Sequence, residues 1–157
     1  MQIATELEQT LHELIPISCA MGVKVDHWEQ GQLQLSAPLA NNINHQQSAF
    51  GGSLFSMAAM AGWGLLQLAL AAEQLEANIV IADGAVEYQR PVFEPLVCQV
   101  DLPARADWQT FVDQLRSQRR ADLTLEPRLV LENGKTAMQL RGHFVVSLPA
   151  EIGRAHV

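Results

Sequence analysis

A chain of 157 residues has room for one domain, and its net charge of −7, from 17 acids against 10 Lys and Arg, argues against a nucleic-acid binder, whose affinity comes mainly from neutralising phosphates. Apolar residues make up 48% and charged residues 17%, the reverse of the balance that keeps a chain disordered. Cys19 and Cys98 form no Cys-x-x-Cys pair, and the acidic start Met1–Glu8 lacks the basic region of a secretory signal, so a cytoplasmic protein with free thiols is expected.

In chain order, Ile3, Leu7, Leu11 and Leu14 recur at helical spacing, predicting an amphipathic helix over 2–14 that ends before Pro16. Val23 and Val25, then Leu33 and Leu35, alternate with polar residues and predict two short strands joined by a turn at Glu29-Gln30-Gly31. Pro38 closes the second strand, and a polar loop runs from Asn41 to Ser48. Gly51-Gly52-Ser53 then opens a helix expected to reach about Gln74. No Asp, Glu, Lys or Arg occurs from Gln30 to Ala72, so this helix is apolar all round. Its length would span a bilayer, but Ser53, Ser56, Gln67 and a run of Ala and Gly, with Glu73 and Glu76 following at once, favour burial inside a globular fold. Gly62 and Gly64 within it imply a very close neighbour.

The remainder reads as four strands with one inserted helix. Ile79–Tyr88 is the first, ended by Arg90-Pro91, and Leu96–Leu102 alternates as the second. Asp107 is expected to cap the inserted helix. Leu123, Leu125, Leu129 and Leu131 share one parity around Pro127, which implies an edge or a bulge. Asn133-Gly134 signals a hairpin into a last strand with Met138, Leu140, Phe144, Val146 and Leu148 on one face. The expected fold is α+β, an antiparallel sheet wrapped around the long apolar helix. It forms a single domain over residues 1–150, with 151–157 a loose tail.

No HExxH, Walker loop, GxSxG or GxGxxG is present, and the five histidines lack metal spacing, so no metal and no bound cofactor is expected. What remains is Asn44-x6-Gly51-Gly52 before a helix. A helix start offers unpaired N–H groups and the positive end of its dipole. Two glycines let a ligand approach that backbone, where the amides can polarise a carbonyl and hold its oxyanion; the same glycines also suit a simple tight turn. Asn44 can orient a water or a carbonyl.

The run from Asn44 to Ser53 (Asn-His-Gln-Gln-Ser-Ala-Phe-Gly-Gly-Ser) and the strand end Tyr88-Gln89-Arg90-Pro91-Val92 resemble the hotdog-fold thioesterases. Phe50-Gly51-Gly52 with Ala61-Gly62-Trp63-Gly64 is most similar to the YiiD-type branch. The resemblance implies an acyl-CoA or acyl-carrier thioesterase acting as a homodimer or a dimer of dimers; charge and composition add the expectation of no nucleic-acid or membrane partner. The family's usual His before Gly-Gly is Phe50 here. The acid usual in its central helix is replaced by Met57, Ala58, Ala59 and Met60. A base must therefore come from elsewhere, or there is no catalysis.

Asp83, in the otherwise apolar strand from Ile79, is the candidate base, facing Gly51 of a neighbouring subunit; the alternative is an acid capping a bulge at Gly84. Gly51 and Gly52 would hold the oxyanion and Asn44 would orient it or the water. Candidate substrate contacts are His45, Phe50, Ser53 and Arg90. Phe50, Phe55 and Trp63 could line an acyl tunnel or serve as core. Arg116, Arg119 and Arg120 could meet CoA phosphates or stabilise a helix end. Three readings stay open: thioester hydrolysis, a non-catalytic acyl or CoA-binding module, and a hydratase or dehydratase.

Overall fold

The computed structural model describes residues 2–150, and the expected tail at 151–157 lies outside them. Helix α1 is Gln2–Leu14, with Leu7 and Leu11 buried. Pro16 ends it as expected but also starts a second helix, α2 at Pro16–Met21. Proline suits a first helical turn, because its missing N–H would be unpaired there anyway. Strands β1 (Lys24–Glu29) and β2 (Gln32–Ala37) form a hairpin. Its two-residue turn places Gln30 and Gly31 at φ 52° and 75°, as a type I′ turn requires.

The apolar helix is α3, Gly51–Ala72, and carries eleven buried residues. It is long and apolar enough to cross a membrane, yet most of it is buried in the fold, so it is a core helix. Around it run β3 (Asn78–Tyr88), β4 (Leu96–Asp101), β5 (Arg120–Leu125), β6 (Arg128–Val130) and β7 (Thr136–Ser147). Helix α4, Arg105–Gln118, packs on β5. Its cap is Ala104, and Asp107 sits in the first turn, where a carboxylate favours the dipole without capping.

The seven strands form one antiparallel sheet in the order β1-β2-β4-β6-β7-β3, with β5 also paired to β7. The region read as one strand around Pro127 is two, β5 and β6, because proline interrupts the ladder. Both halves pair with the same side of β7: Arg128 to Val130 along its start, Arg120 to Leu125 along its end. Strand β3 lines the other side of β7, and its outer edge has no partner strand among the described residues.

The concave face of the sheet holds α3, which packs on β2, β3, β4 and β7. At Gly62 an added Cβ would lie 2.3 Å from Cζ of Phe144 on β7. The small residue there lets the Phe144 ring lie directly on the helix backbone.

Candidate active site

The chain approaches α3 along a tied-down path. Ala49 N–H donates to Val92 O at 2.8 Å and Phe50 N–H to Asn42 O at 2.7 Å. Phe50 is the N-cap, with extended backbone and no side-chain capping bond. The N–H groups of Ser53 and Leu54 both turn back to Phe50 O, at 2.9 and 3.1 Å. The N–H groups of Gly51 and Gly52 are thus left with no acceptor among the described residues. They stand at the positive end of a 22-residue helix.

Strand β3 runs past α3 in the opposite sense. Its end, Tyr88, covers Gly51, and the Tyr88 hydroxyl donates to Gly51 O at 3.0 Å. A cleft of about 280 Å³ opens here, bounded by Gly51, Leu54, Tyr88, Arg90 and Val92. Starting one turn further along α3, about 6 Å down its axis, a second groove of about 500 Å³ lies between Phe55, Ala59 and Trp63 of α3 and Ile79 to Ile81 of β3. Ser56 is the polar side chain in that groove, and its hydroxyl donates to Gly52 O at 2.8 Å. The groove is therefore a largely apolar channel that starts one helical turn beyond the two free amides and lies between α3 and β3.

Asn44 spends its side chain within the loop. Its Oδ1 accepts from Gln46 N–H at 2.9 Å and Ser48 N–H at 3.2 Å, and its Nδ2 donates to Ser48 Oγ at 3.0 Å. This Asx-type turn shapes the approach to the helix. His45 is exposed on the same loop. The Phe50 ring lies over Gly52 and is 57% exposed; Ser53 is half-buried. Arg90 Nη1 donates to Thr136 O at 2.7 Å beside the cleft. Of the anticipated site residues, Gly51, Gly52, Ser53, Phe50 and Arg90 come together at the helix start, with Asn44 behind them.

Asp83 does not join them within the subunit. The bulge lies between Ile81 and Asp83, not at Gly84, and leaves Asp83 opposite His143 on the outer face of the sheet. Asp83 is five residues from Tyr88, about 16 Å along the strand. Its Oδ2 is 3.3 Å from His143 Nδ1, and His143 Nε2 is 2.5 Å from Asp122 Oδ2. The Asp122 bond, then the Asp83 bond, hold His143 above its ordinary pKa. Arg116 is likewise committed elsewhere, donating to Glu73 O at 3.0 Å at the C-terminus of α3, and Arg119 donates to Pro149 O. The Tyr88 hydroxyl is the contributor not singled out from sequence: its motif was visible but its partner, Gly51 O, was not.

A family model described as "Putative thioesterase (yiiD_Cterm)" matches residues 4–148. The chain belongs to this YiiD C-terminal family. A "putative thioesterase" of Shewanella oneidensis is 32% identical, with a TM-score of 0.85 over 94% of this chain and 99% of that one. A protein of unknown function from Chlorobaculum tepidum is 28% identical, with a TM-score of 0.88 over 94% and 96%. A Pseudomonas aeruginosa protein at 21% identity and TM-score 0.76, over 92% and 96%, shares the fold. The YiiD C-terminal chain thus has the hotdog architecture expected from its sequence, with Phe50 and an acid-free α3 at the helix start.

Proposed function

We propose that this protein hydrolyses an acyl-CoA or acyl-carrier thioester with water in the cytoplasm. The observation that carries this reading is the pair of free amides at Gly51 and Gly52, with an apolar groove starting one turn further along α3. A thioester carbonyl seated there would direct its oxygen at both N–H groups and its acyl chain along Phe55, Ala59 and Trp63. Water adds to the carbonyl carbon, the amides hold the negative oxygen, and the C–S bond breaks to give the acid and the free thiol. Preorganised donors of this kind each contribute on the order of 10²–10³ in rate. Arg90 at the mouth of the cleft suits an anionic portion of the carrier. No cofactor takes part in this scheme.

A homodimer through the β3 edges supports the same site. An eleven-residue edge strand without a partner, with Val80 and Tyr88 each more than half exposed, is a template for pairing. A partner strand would also wall the groove. Light scattering at micromolar concentration is expected to give a dimer or a dimer of dimers. Paired edges keep the two faces of a sheet in common, so Asp83 stays on the outer face in such a dimer. Asp83 enters the chemistry only if Asp83→Asn lowers kcat by about 10²–10⁴ in a folded protein.

The deciding experiment is release of free thiol from a panel of acyl-CoA substrates, with Gly51→Val as control. A β-branched side chain at Gly51 meets the Tyr88 ring and closes the approach to the amides, so turnover should disappear. The absence of any acid from Gly51 to Ala72 favours a second reading, a binding module for acyl thioesters. Wild-type protein that binds CoA thioesters in calorimetry and releases no thiol would establish the second reading over the first.

A further inference from the structure

Resting on the hydrolytic reading, we infer that Tyr88 is a positioning residue that fixes and strengthens the Gly52 amide as an oxyanion donor. Gly51 C=O and Gly52 N–H are the two ends of one planar peptide unit. The Tyr88 hydroxyl donates to the carbonyl end at 3.0 Å, so whatever holds that oxygen also aims the N–H. Drawing electron density toward the oxygen makes the N–H a stronger donor, a cooperative gain on the order of 10–30% per bond in condensed phase.

The location gives this bond its importance. A Gly-Gly step is the least constrained backbone a helix can start with, and α3 has no side-chain cap to restrain it. Beyond the backbone bonds of the helix and its approach, side chains hold its first two carbonyls: Tyr88 on Gly51 O, and Ser56 on Gly52 O at 2.8 Å. Ser56 is one turn along the same helix and moves with it. Tyr88 is the anchor from outside. Its strand is bonded along β7, Tyr88 itself pairs with Met138, and the next two N–H groups, of Gln89 and Arg90, both donate to Ala137 O. The hydroxyl therefore ties the donor peptide to the sheet. Packing alone would not require it: the ring lies in ordinary contact with Gly51, 3.5 Å from where a Cβ would be, and phenylalanine would pack the same way.

The test compares wild type, Tyr88→Phe and proteins carrying fluorinated tyrosines of rising acidity at position 88. Hydrolysis of one acyl-CoA is followed by thiol release, beside the amide NMR signal of Gly52. Tyr88→Phe should lower kcat about 10-fold, less than the 10²–10³ that follows loss of a donor. KM should stay within twofold and the urea midpoint should not change. Within the fluorinated series, kcat and the Gly52 amide shift should move together with phenol acidity, which a role in packing alone would not produce. Wild-type kcat in Tyr88→Phe, or a change confined to KM, overturns the inference while leaving the hydrolytic reading in place. A wild type that turns over no acyl thioester overturns both.

Discussion

Replacing Gly62 by alanine sets two known effects against each other. Alanine is favoured over glycine inside a helix by about 1 kcal/mol. The new methyl, however, would stand 2.3 Å from Cζ and 2.7 Å from Cε2 of Phe144, a ring that is itself fully packed between α3 and the sheet. Overpacking of a close core costs about 1–3 kcal/mol, and a contact this short belongs at the upper end. The net expectation is a loss of about 2 kcal/mol. With an m-value of roughly 2 kcal/mol/M, the urea midpoint should fall by about 1 M at unchanged slope. Gly64→Ala is the internal control. Its methyl would meet only the flexible ends of Leu33 and Leu7, at 3.1 and 3.3 Å, so its midpoint should move far less. Phe144→Leu removes the clashing ring atoms, so the double variant Gly62→Ala/Phe144→Leu should be more stable than the sum of the single losses by about 1–2 kcal/mol. A Gly62→Ala protein as stable as wild type, or strict additivity in that cycle, would refute the close approach of α3 and β7.

Three further outcomes follow from particular side chains. Because His143 is held above its ordinary pKa of 6.5 by Asp122 and Asp83, its protonated form favours the fold. The stability difference between wild type and His143→Gln should be largest below pH 6.5 and fade as pH rises through the folded-state value, with imidazole NMR giving the midpoint. Burial pushes the Cys98 thiol up to about 12 while Cys19 is exposed, so a disulfide reagent at pH 8 should label one thiol in the native protein and two in urea. Asn44→Ala removes the acceptor shared by Gln46 and Ser48 and should cost about 1–2 kcal/mol in urea unfolding, with a smaller fall in thiol release than Gly51→Val.

The central helix was legible because a charge-free run of 22 mostly apolar residues, with no polar face, is stable in a globular protein when most of its sides are buried. The hairpins were legible because Gly31 and Gly134 mark turns, and both take the positive φ, 75° and 85°, that glycine accepts freely. Asp83 was not. In a regular strand Ile79, Ile81 and Asp83 share one face, which would turn the carboxylate toward the helix. The extra residue at the bulge flips everything after it by one position, so Asp83 points outward and Tyr88 inward. No residue type in Ile81-Ala82-Asp83 announces that insertion. The free amides were half visible: Gly-Gly marked the place, but only the bonds from Ser53 and Leu54 back to Phe50 show which two N–H groups are left over.

The order of the strands also governs how the chain can fold as it is made. Strand β7 is synthesised last, yet β3, β5 and β6 all pair with it and Phe144 closes on Gly62. At roughly 5–20 residues per second, about 4–15 s pass between completion of α3 and completion of β7. For that interval the most water-averse segment of the chain can be sheltered by α1, β2 and, as they emerge, β4 and β3, but β3 lacks its pairing strand and the face that meets Phe144 stays uncovered. A nascent chain stalled before Thr136 should therefore be sensitive to protease and dependent on chaperone cover, and should become resistant only after Ser147 has cleared the ribosome.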